Sequence, residues 1–253
     1  MLSDRTQRLL VTLSLAIGAG LFVFLTHIQS SATQELPFHP VLVESIPLSP
    51  HPLPPSLDAW QDPTSSGDYF SQVKSTAVGS LVWSQFPVQV YIEPANDSNK
   101  DQVQRWVKVV SLAVQEWSAY LPLKVVEQSE AADIAIVQSI SPLQVSSTGN
   151  LQRVRAAETS YKLYVNNKDA SATLSHRCTI KLNPHQTDSY LQASARHELG
   201  HALGIWGHSL VATDVMYFSQ VRNPPPISSR DLNTLKRVYE QPTRLGWSLN
   251  IQP

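Results

Sequence analysis

The stretch ARHELGHALGIWGHS, residues 195–209, brings together three of the chain's eight histidines and constrains the fold more than any other feature. Apolar residues recur at helical spacing through it and just before it, at Leu191, Ala195, Leu199 and Leu203. This pattern predicts a helix over about residues 189–203 with one apolar stripe. His197 and His201 lie on the opposite side, one turn apart, where two imidazoles can bind one metal ion.

Further residues complete the predicted site. Glu198 lies next to His197, where its carboxylate reaches a metal-bound water as a general base more easily than it reaches the metal. Gly204 can leave the helix through a left-handed conformation and turn the chain back, so that His208 approaches as a third ligand. Three neutral imidazoles leave a fourth position for water, which is the open geometry of a catalytic zinc site. Asp214 is the alternative third ligand, because zinc also accepts carboxylate oxygen.

The order of the other elements predicts an α+β fold, an α/β sandwich. Residues 86–95 alternate apolar and polar side chains as a strand does, and a helix with one apolar face follows, capped by Asp97 or Ser98. The segments LKVVEQ and ADIAIVQ are two more strands, and residues 160–183 form a hairpin that turns at Asn166 and Asn167. Asp188 is expected to cap the histidine-bearing helix. This order predicts a mostly parallel sheet with helices packed against it.

The N-terminal part of the chain is organised differently. Residues 9–26 form an uncharged apolar run behind two arginines, long enough to cross the core of a bilayer. Residues 1–32 are therefore predicted to be a cleaved signal peptide or a retained membrane anchor, with everything that follows outside the cytoplasm. Residues 33–67 contain eight prolines and are predicted to be an extended linker. Residues 68–253 remain as the globular domain.

Composition excludes some classes of partner and site. The net charge is −1 and no basic run follows a phosphate backbone, so nucleic acid is not a predicted partner. The single cysteine, Cys178, excludes an internal disulfide and a cysteine-rich zinc cage. We expect this thiol to be a small buried apolar group, and His176 and His185 to be ordinary core or surface residues.

The sequence HELGHALGIWGHS, followed by TDVMYF, resembles the metzincin metallopeptidases and is most similar to the matrixins. The similarity extends to AVQEWSAYLPLKVVE, AADIAIV and ISSRDLNTLKRVYE and covers roughly residues 82–240. The resemblance implies a metzincin-like catalytic domain with a twisted mixed sheet, an active-site helix and a C-terminal helix. It also implies one catalytic Zn²⁺ bound by His197, His201 and His208, with Glu198 as the base. Met216 would be the methionine of the turn beneath the metal.

The sequence departs from the family pattern in the loop after the glycine. The family usually has its third histidine three residues after that glycine, and here the position is Gly207, with His208 one residue later. The spacing from His208 to Met216 equals the matrixin spacing, so the simplest interpretation is a loop that is one residue longer. Gly207 would make that lengthening sterically easy. Trp206 is expected to brace this loop.

These observations predict a zinc-dependent endopeptidase that acts on a peptide or protein substrate. By resemblance, an edge strand aligns the substrate and residues 217–229 form the wall of a pocket, where Tyr217 either donates a hydrogen bond to substrate or only packs. One alternative is a non-catalytic zinc-binding domain, which has no need of Glu198. Another is a zinc hydrolase of a non-peptide amide or ester. If residues 9–26 remain as an anchor, the membrane is a further partner.

Overall fold

A computed structural model describes residues 45–94, 99–140, 156–167 and 172–248 of the chain. The strands are β1 (Val88–Ile92), β2 (Leu123–Val126), β3 (Ile134–Gln138), β4 (Ala157–Asn166) and β5 (Thr173–Leu182). They form one sheet in the order β2-β1-β3-β5-β4. Four strands are parallel, and β4 alone runs antiparallel, against β5. The predicted mixed, mostly parallel sheet is confirmed.

The described helices supply the second layer of the sandwich. They are α1 (Pro55–Asp58), α2 (Lys100–Ser118), α3 (Asp188–Ala202) and α4 (Ser229–Tyr239), with short 3₁₀ turns at Phe70–Gln72 and Ser129–Ala131. Helices α2 and α3 pack against each other, and Trp117 Nε1 on α2 donates to the Arg196 carbonyl on α3 at 2.8 Å. The predicted apolar stripe of α3 is fully buried. The α+β sandwich is therefore confirmed, and α3 lies in its core with its histidine face toward a cleft.

The caps of two helices differ from the prediction. Helix α2 begins after Asn99, whose side chain accepts a backbone hydrogen bond from the first turn, while the predicted caps Asp97 and Ser98 lie outside the described residues. Asp188 is the first residue of α3 and not its cap. Its carboxylate accepts a hydrogen bond from Arg105 Nε at 2.5 Å, and its negative charge is favourable at the positive end of the helix dipole.

The predicted hairpin of β4 and β5 is present. Its last pair is Asn166 and Thr173, so Asn166 belongs to β4 and the chain does not turn at this residue as predicted, while residues 168–171 lie outside the described part. No described strand pairs with the outer side of β4. This edge strand runs beside α3, and it therefore borders the cleft.

Residues 45–67 differ from the linker that the sequence predicts for residues 33–67. Ile46 and Leu57 are buried, and Ser49 exchanges two backbone hydrogen bonds with Thr243 near the end of the described chain. Prolines fix φ and let a segment lie extended along a surface, while the apolar residues between them anchor it there. Residues 33–44 lie outside the described part, and there the linker stays a prediction.

The predicted export segment also lies outside the described residues. Among the residues that are described, no helix combines the length and the apolar composition that crossing a bilayer requires. The prediction for residues 1–32 is therefore untested.

Candidate metal centre

Three predicted ligands meet at one point in the cleft. One nitrogen from each of His197, His201 and His208 lies within 4.8 Å of the others. The ring centroids of the two helical histidines are 4.9 Å apart, and the ring of His208 lies 5.2 Å and 4.9 Å from theirs. Three imidazoles that converge at these distances can hold one ion in a tetrahedral site with one position open to the cleft.

Backbone carbonyls select the ligating nitrogen of the two helical histidines. His197 Nδ1 donates to the Val215 carbonyl and His201 Nδ1 donates to the Ile205 carbonyl, each at 2.7 Å. A carbonyl only accepts, so Nδ1 of each ring carries a proton, and in the neutral form of the ring Nε2 is then the nitrogen with a lone pair for a metal. Burial, followed by the neighbouring imidazoles, holds the pKa of His201 well below its ordinary value. Burial likewise lowers the pKa of His208 to about 4, so both rings are neutral, as metal binding requires.

Gly204 ends the helix in the way that the sequence predicts. Its φ is +128°, a conformation that side-chain-bearing residues rarely adopt, and its amide donates to the His201 carbonyl at 3.0 Å. A Cβ at this position would lie 3.0 Å from the Leu81 carbonyl oxygen, so space and conformation both require glycine. The chain then reverses and brings His208 back over the helix.

The extra residue of the loop is held by a distant segment. Gly207 needs no unusual φ, but a Cβ there would lie 2.2 Å from the Gln72 carbonyl oxygen. Beside it, the Lys74 amide donates to the Trp206 carbonyl at 3.0 Å. The Trp206 ring stacks on His201 with centroids 5.9 Å apart, so this residue braces the loop as predicted. The longer loop therefore accommodates the backbone of residues 72–74.

Met216 lies beneath the ligand helix. It is fully buried, and its Sδ would lie 2.2 Å from a Cβ at Gly200, so the thioether packs where the helix has no side chain. The turn is held by Asp231 at the start of α4, whose carboxylate accepts the amides of Val215 at 2.9 Å and Met216 at 3.3 Å. Tyr69 Oη donates to the same carboxylate at 2.5 Å. The turn is thus fixed from α4 and from the N-terminal segment.

Asp214, the alternative third ligand, has a different set of partners. Its carboxylate is buried and accepts hydrogen bonds from Ser209 Oγ at 2.5 Å, Ser228 Oγ at 2.8 Å and Arg230 Nε at 3.0 Å. It does not belong to the histidine group. Asp214 therefore ties the loop to α4, and the structure favours His208 as the third ligand.

Glu198 and Tyr217 line a cavity next to the histidines. The cavity has a volume of about 360 Å³ and is bordered by Ala157 of β4 and by the prolines Pro224 and Pro225. Glu198 is buried at 8% exposure, and Thr159 Oγ1 on β4 donates to its Oε2 at 2.6 Å. A carboxylate held at the junction of metal site and cavity can receive and return a proton there.

Several residues that support the site are not predicted from the sequence. Arg196 donates to both carboxylate oxygens of Glu116 on α2, and its Nη1 donates to the Pro225 carbonyl at 2.7 Å, so it joins two helices to the cavity wall. Asp231 could have been found, because Ser228 and Asp231 form a capping box with a recognisable spacing. Nothing local marks Thr159, since threonine is common in strands.

His176, His185 and Cys178 stand apart from this centre. Cys178 is buried in β5, and burial raises the pKa of its thiol. His176 is buried against Trp83 with ring centroids 3.8 Å apart, and His185 is exposed. Each matches the expectation of an ordinary core or surface residue.

The family model described as matrixin matches residues 83–240 of the chain. A search of curated proteins finds no match. The matched range contains every strand and every long helix described above.

Proposed function

This chain belongs to the matrixin family of metallopeptidases, and we propose that it is a zinc-dependent endopeptidase with Glu198 as its general base. The observation that carries the proposal is the convergence of three imidazoles beside a buried carboxylate that lines a cavity.

The donor set fits zinc. His197, His201 and His208 would bind the ion through three nitrogens, which suits zinc and leaves one coordination position for water or substrate. When bound, zinc supplies Lewis-acid chemistry, because it lowers the pKa of a water and polarises the carbonyl of the scissile bond. Cysteine takes no part, since the only thiol is buried elsewhere in the sheet.

The chain's own residues would do the rest of the work. Glu198 receives the proton of the attacking water at a carboxylate oxygen and returns it to the leaving amine. The outer edge of β4 can align an extended substrate by backbone hydrogen bonds, as an added strand. The cavity beside Glu198 would receive the substrate side chain next to the scissile bond. Tyr217 lines this cavity and is a candidate substrate-binding residue.

We propose that this activity operates outside the cytoplasm. The support is the family, together with the apolar run at residues 9–26 behind Arg5 and Arg8. The partners are then a peptide or protein substrate and, if the anchor is retained, a membrane.

The test is Glu198→Ala in the full chain, because residues 45–67 pack on the domain and should not be removed. We expect the variant to keep about one zinc per chain and to lose at least about a thousandfold in peptide cleavage, since base and activated water act together. Metal analysis and cleavage of a broad peptide library measure both. Glu240→Ala, an exposed position after α4, is the matched control and should behave as the parent.

Other outcomes would change the assignment. A Glu198→Ala variant as active as the parent would mean that Glu198 is not the base. A zinc-binding parent that cleaves esters or simple amides but no peptide would indicate a non-peptide hydrolase. A parent that binds zinc and cleaves neither class would be a non-catalytic binding domain.

A further inference from the structure

Thr159 lies on the edge strand β4, directly beside the proposed base. Its Oγ1 is 2.6 Å from Glu198 Oε2 and 3.1 Å from the backbone oxygen of the same residue. Both neighbours are acceptors and a hydroxyl has one proton, so the proton points to the closer carboxylate oxygen. The contact joins a strand to a helix across 39 positions of sequence.

The sheet holds this hydroxyl in a defined place. Thr159 pairs with Ile180 of β5, which is fully buried, so the strand is anchored at this point. A β-branched side chain also has few χ1 rotamers to choose from. Along the strand, Ala157 lines the cavity and Tyr161 contacts Trp206, while Thr159 between them faces the base.

We propose that Thr159 is a positioning residue that holds the Glu198 carboxylate in its working orientation. A glutamate side chain has three rotatable bonds, and a hydrogen bond to one oxygen selects one rotamer and sets the plane of the carboxylate. This inference rests on the proposed function, since the orientation of a base matters only in an enzyme.

The position of Thr159 also connects the base to the substrate. The outer edge of β4 is the element that would align an extended peptide, and Thr159 belongs to that strand. One rigid element would therefore set both where the peptide backbone lies and how the carboxylate faces it.

The experiment compares Thr159→Val, which keeps the shape but removes the donor, with Thr159→Ser, which keeps the hydroxyl. For a peptide that the parent cleaves, we expect Thr159→Val to lower kcat about tenfold, the usual effect of losing one hydrogen bond to a charged group. KM should stay within about twofold and zinc content should not change. Thr159→Ser should keep kcat within about threefold of the parent. Thr179→Val, on β5, is the matched control and should leave kcat unchanged.

A second measurement does not depend on activity. In crystal structures of the zinc-free variants, the Glu198 carboxylate should leave its position in Thr159→Val and keep it in Thr159→Ser. A parental kcat in Thr159→Val would overturn the proposal. Equal losses of kcat in Thr159→Val and Thr159→Ser, or a loss of zinc in Thr159→Val, would also overturn it and would assign Thr159 to packing. If the parent cleaves no peptide, the proposed function fails by itself. A Glu198 carboxylate that has not moved in zinc-free Thr159→Val would then overturn the role of Thr159 separately.

Discussion

The three histidines of the group come from two regions of the chain, and different contacts fix the position of each region. Helix α3 supplies His197 and His201, and their separation follows from the helical repeat alone. The loop after the helix supplies His208, and its path follows from contacts with residues 72–74, more than a hundred positions earlier in the chain. The candidate metal site would thus combine a locally determined pair of histidines with a third histidine placed by tertiary structure.

This difference predicts how each region responds to change. A helical pair keeps its spacing as long as the helix forms, and the buried stripe of α3 ensures that it does. The position of His208 depends on the contacts that hold its loop, so substitutions far from the histidine group can displace it. The loop and its supports are therefore where the site is most easily disturbed.

The largest effect should come from removing one ligand from each region. We expect His197→Ala and His208→Ala each to weaken zinc binding by more than about a hundredfold and to abolish peptide cleavage, because even changes next to ligands cost up to that much. Zinc titration against a competing chelator measures the affinity. Equal losses would show that both regions contribute full ligands.

Asp214 is the alternative to His208 as the third ligand, and a substitution of Asp214 tests it. Asp214→Asn, chosen because it preserves shape at a buried ion pair with Arg230, should keep zinc at about one ion per chain. Loss of zinc in Asp214→Asn together with its retention in His208→Ala would overturn the assignment of His208.

A smaller effect is expected when Gly207 of the loop and Gly200 of the helix are each replaced by alanine, measured as a change in the free energy of unfolding. At Gly207 a Cβ would meet the Gln72 carbonyl at 2.2 Å, and at Gly200 it would meet Met216 Sδ at the same distance. A side chain can move more easily than backbone, and alanine also favours a helix. We therefore expect Gly207→Ala to lower the free energy of unfolding by about 3 kcal/mol and Gly200→Ala by about 1 kcal/mol.

Denaturant unfolding of the two variants measures this difference. Gly207→Ala should also weaken zinc binding, because His208 is the next residue, whereas Gly200→Ala should affect zinc less. If Gly200→Ala is the less stable variant, the loop is not the more sensitive of the two regions.

The remaining effect concerns the support under the end of α3 and disappears at neutral pH. Trp83 Nε1 donates to the Ala202 carbonyl at 2.9 Å, and the His176 ring stacks on Trp83. Burial lowers the pKa of His176 to about 3 from an ordinary value of 6.5, so the folded protein keeps the ring neutral. The unfolded chain binds a proton below pH 6.5, and stability is therefore complete above that pH and falls as the pH drops toward 3.

The expected loss is roughly 2 kcal/mol between pH 6.5 and 5, at about 1.4 kcal/mol per unit. It is measured as the difference in pH dependence between the zinc-free parent and His176→Phe, which removes the titrating group. His185→Phe, an exposed site, serves as the control. An unchanged pH dependence in His176→Phe would show that another group causes any acid sensitivity.

Much of the fold follows from patterns that act over a few residues. The alternation around Val90, the apolar face of α2 and the buried stripe of α3 each predict their element correctly, because burial of one face imposes the period. The ends of these helices and strands are predicted less accurately than their presence. Capping depends on individual hydrogen bonds, and at α3 the contact of Asp188 with Arg105 brings in a residue from another helix.

The amino-acid sequence by itself determined the helical histidine pair, the adjacent carboxylate, the glycine turn and the family, since all of these are encoded by spacing along one short segment. Tertiary structure alone decided the rest. The close approach of Gln72 to Gly207, the hydrogen bond from Thr159 to Glu198 and the hold of Asp231 on the methionine turn each join residues that are far apart in the chain. Such contacts depend on how whole elements pack, and that packing has no signature in any one stretch of sequence.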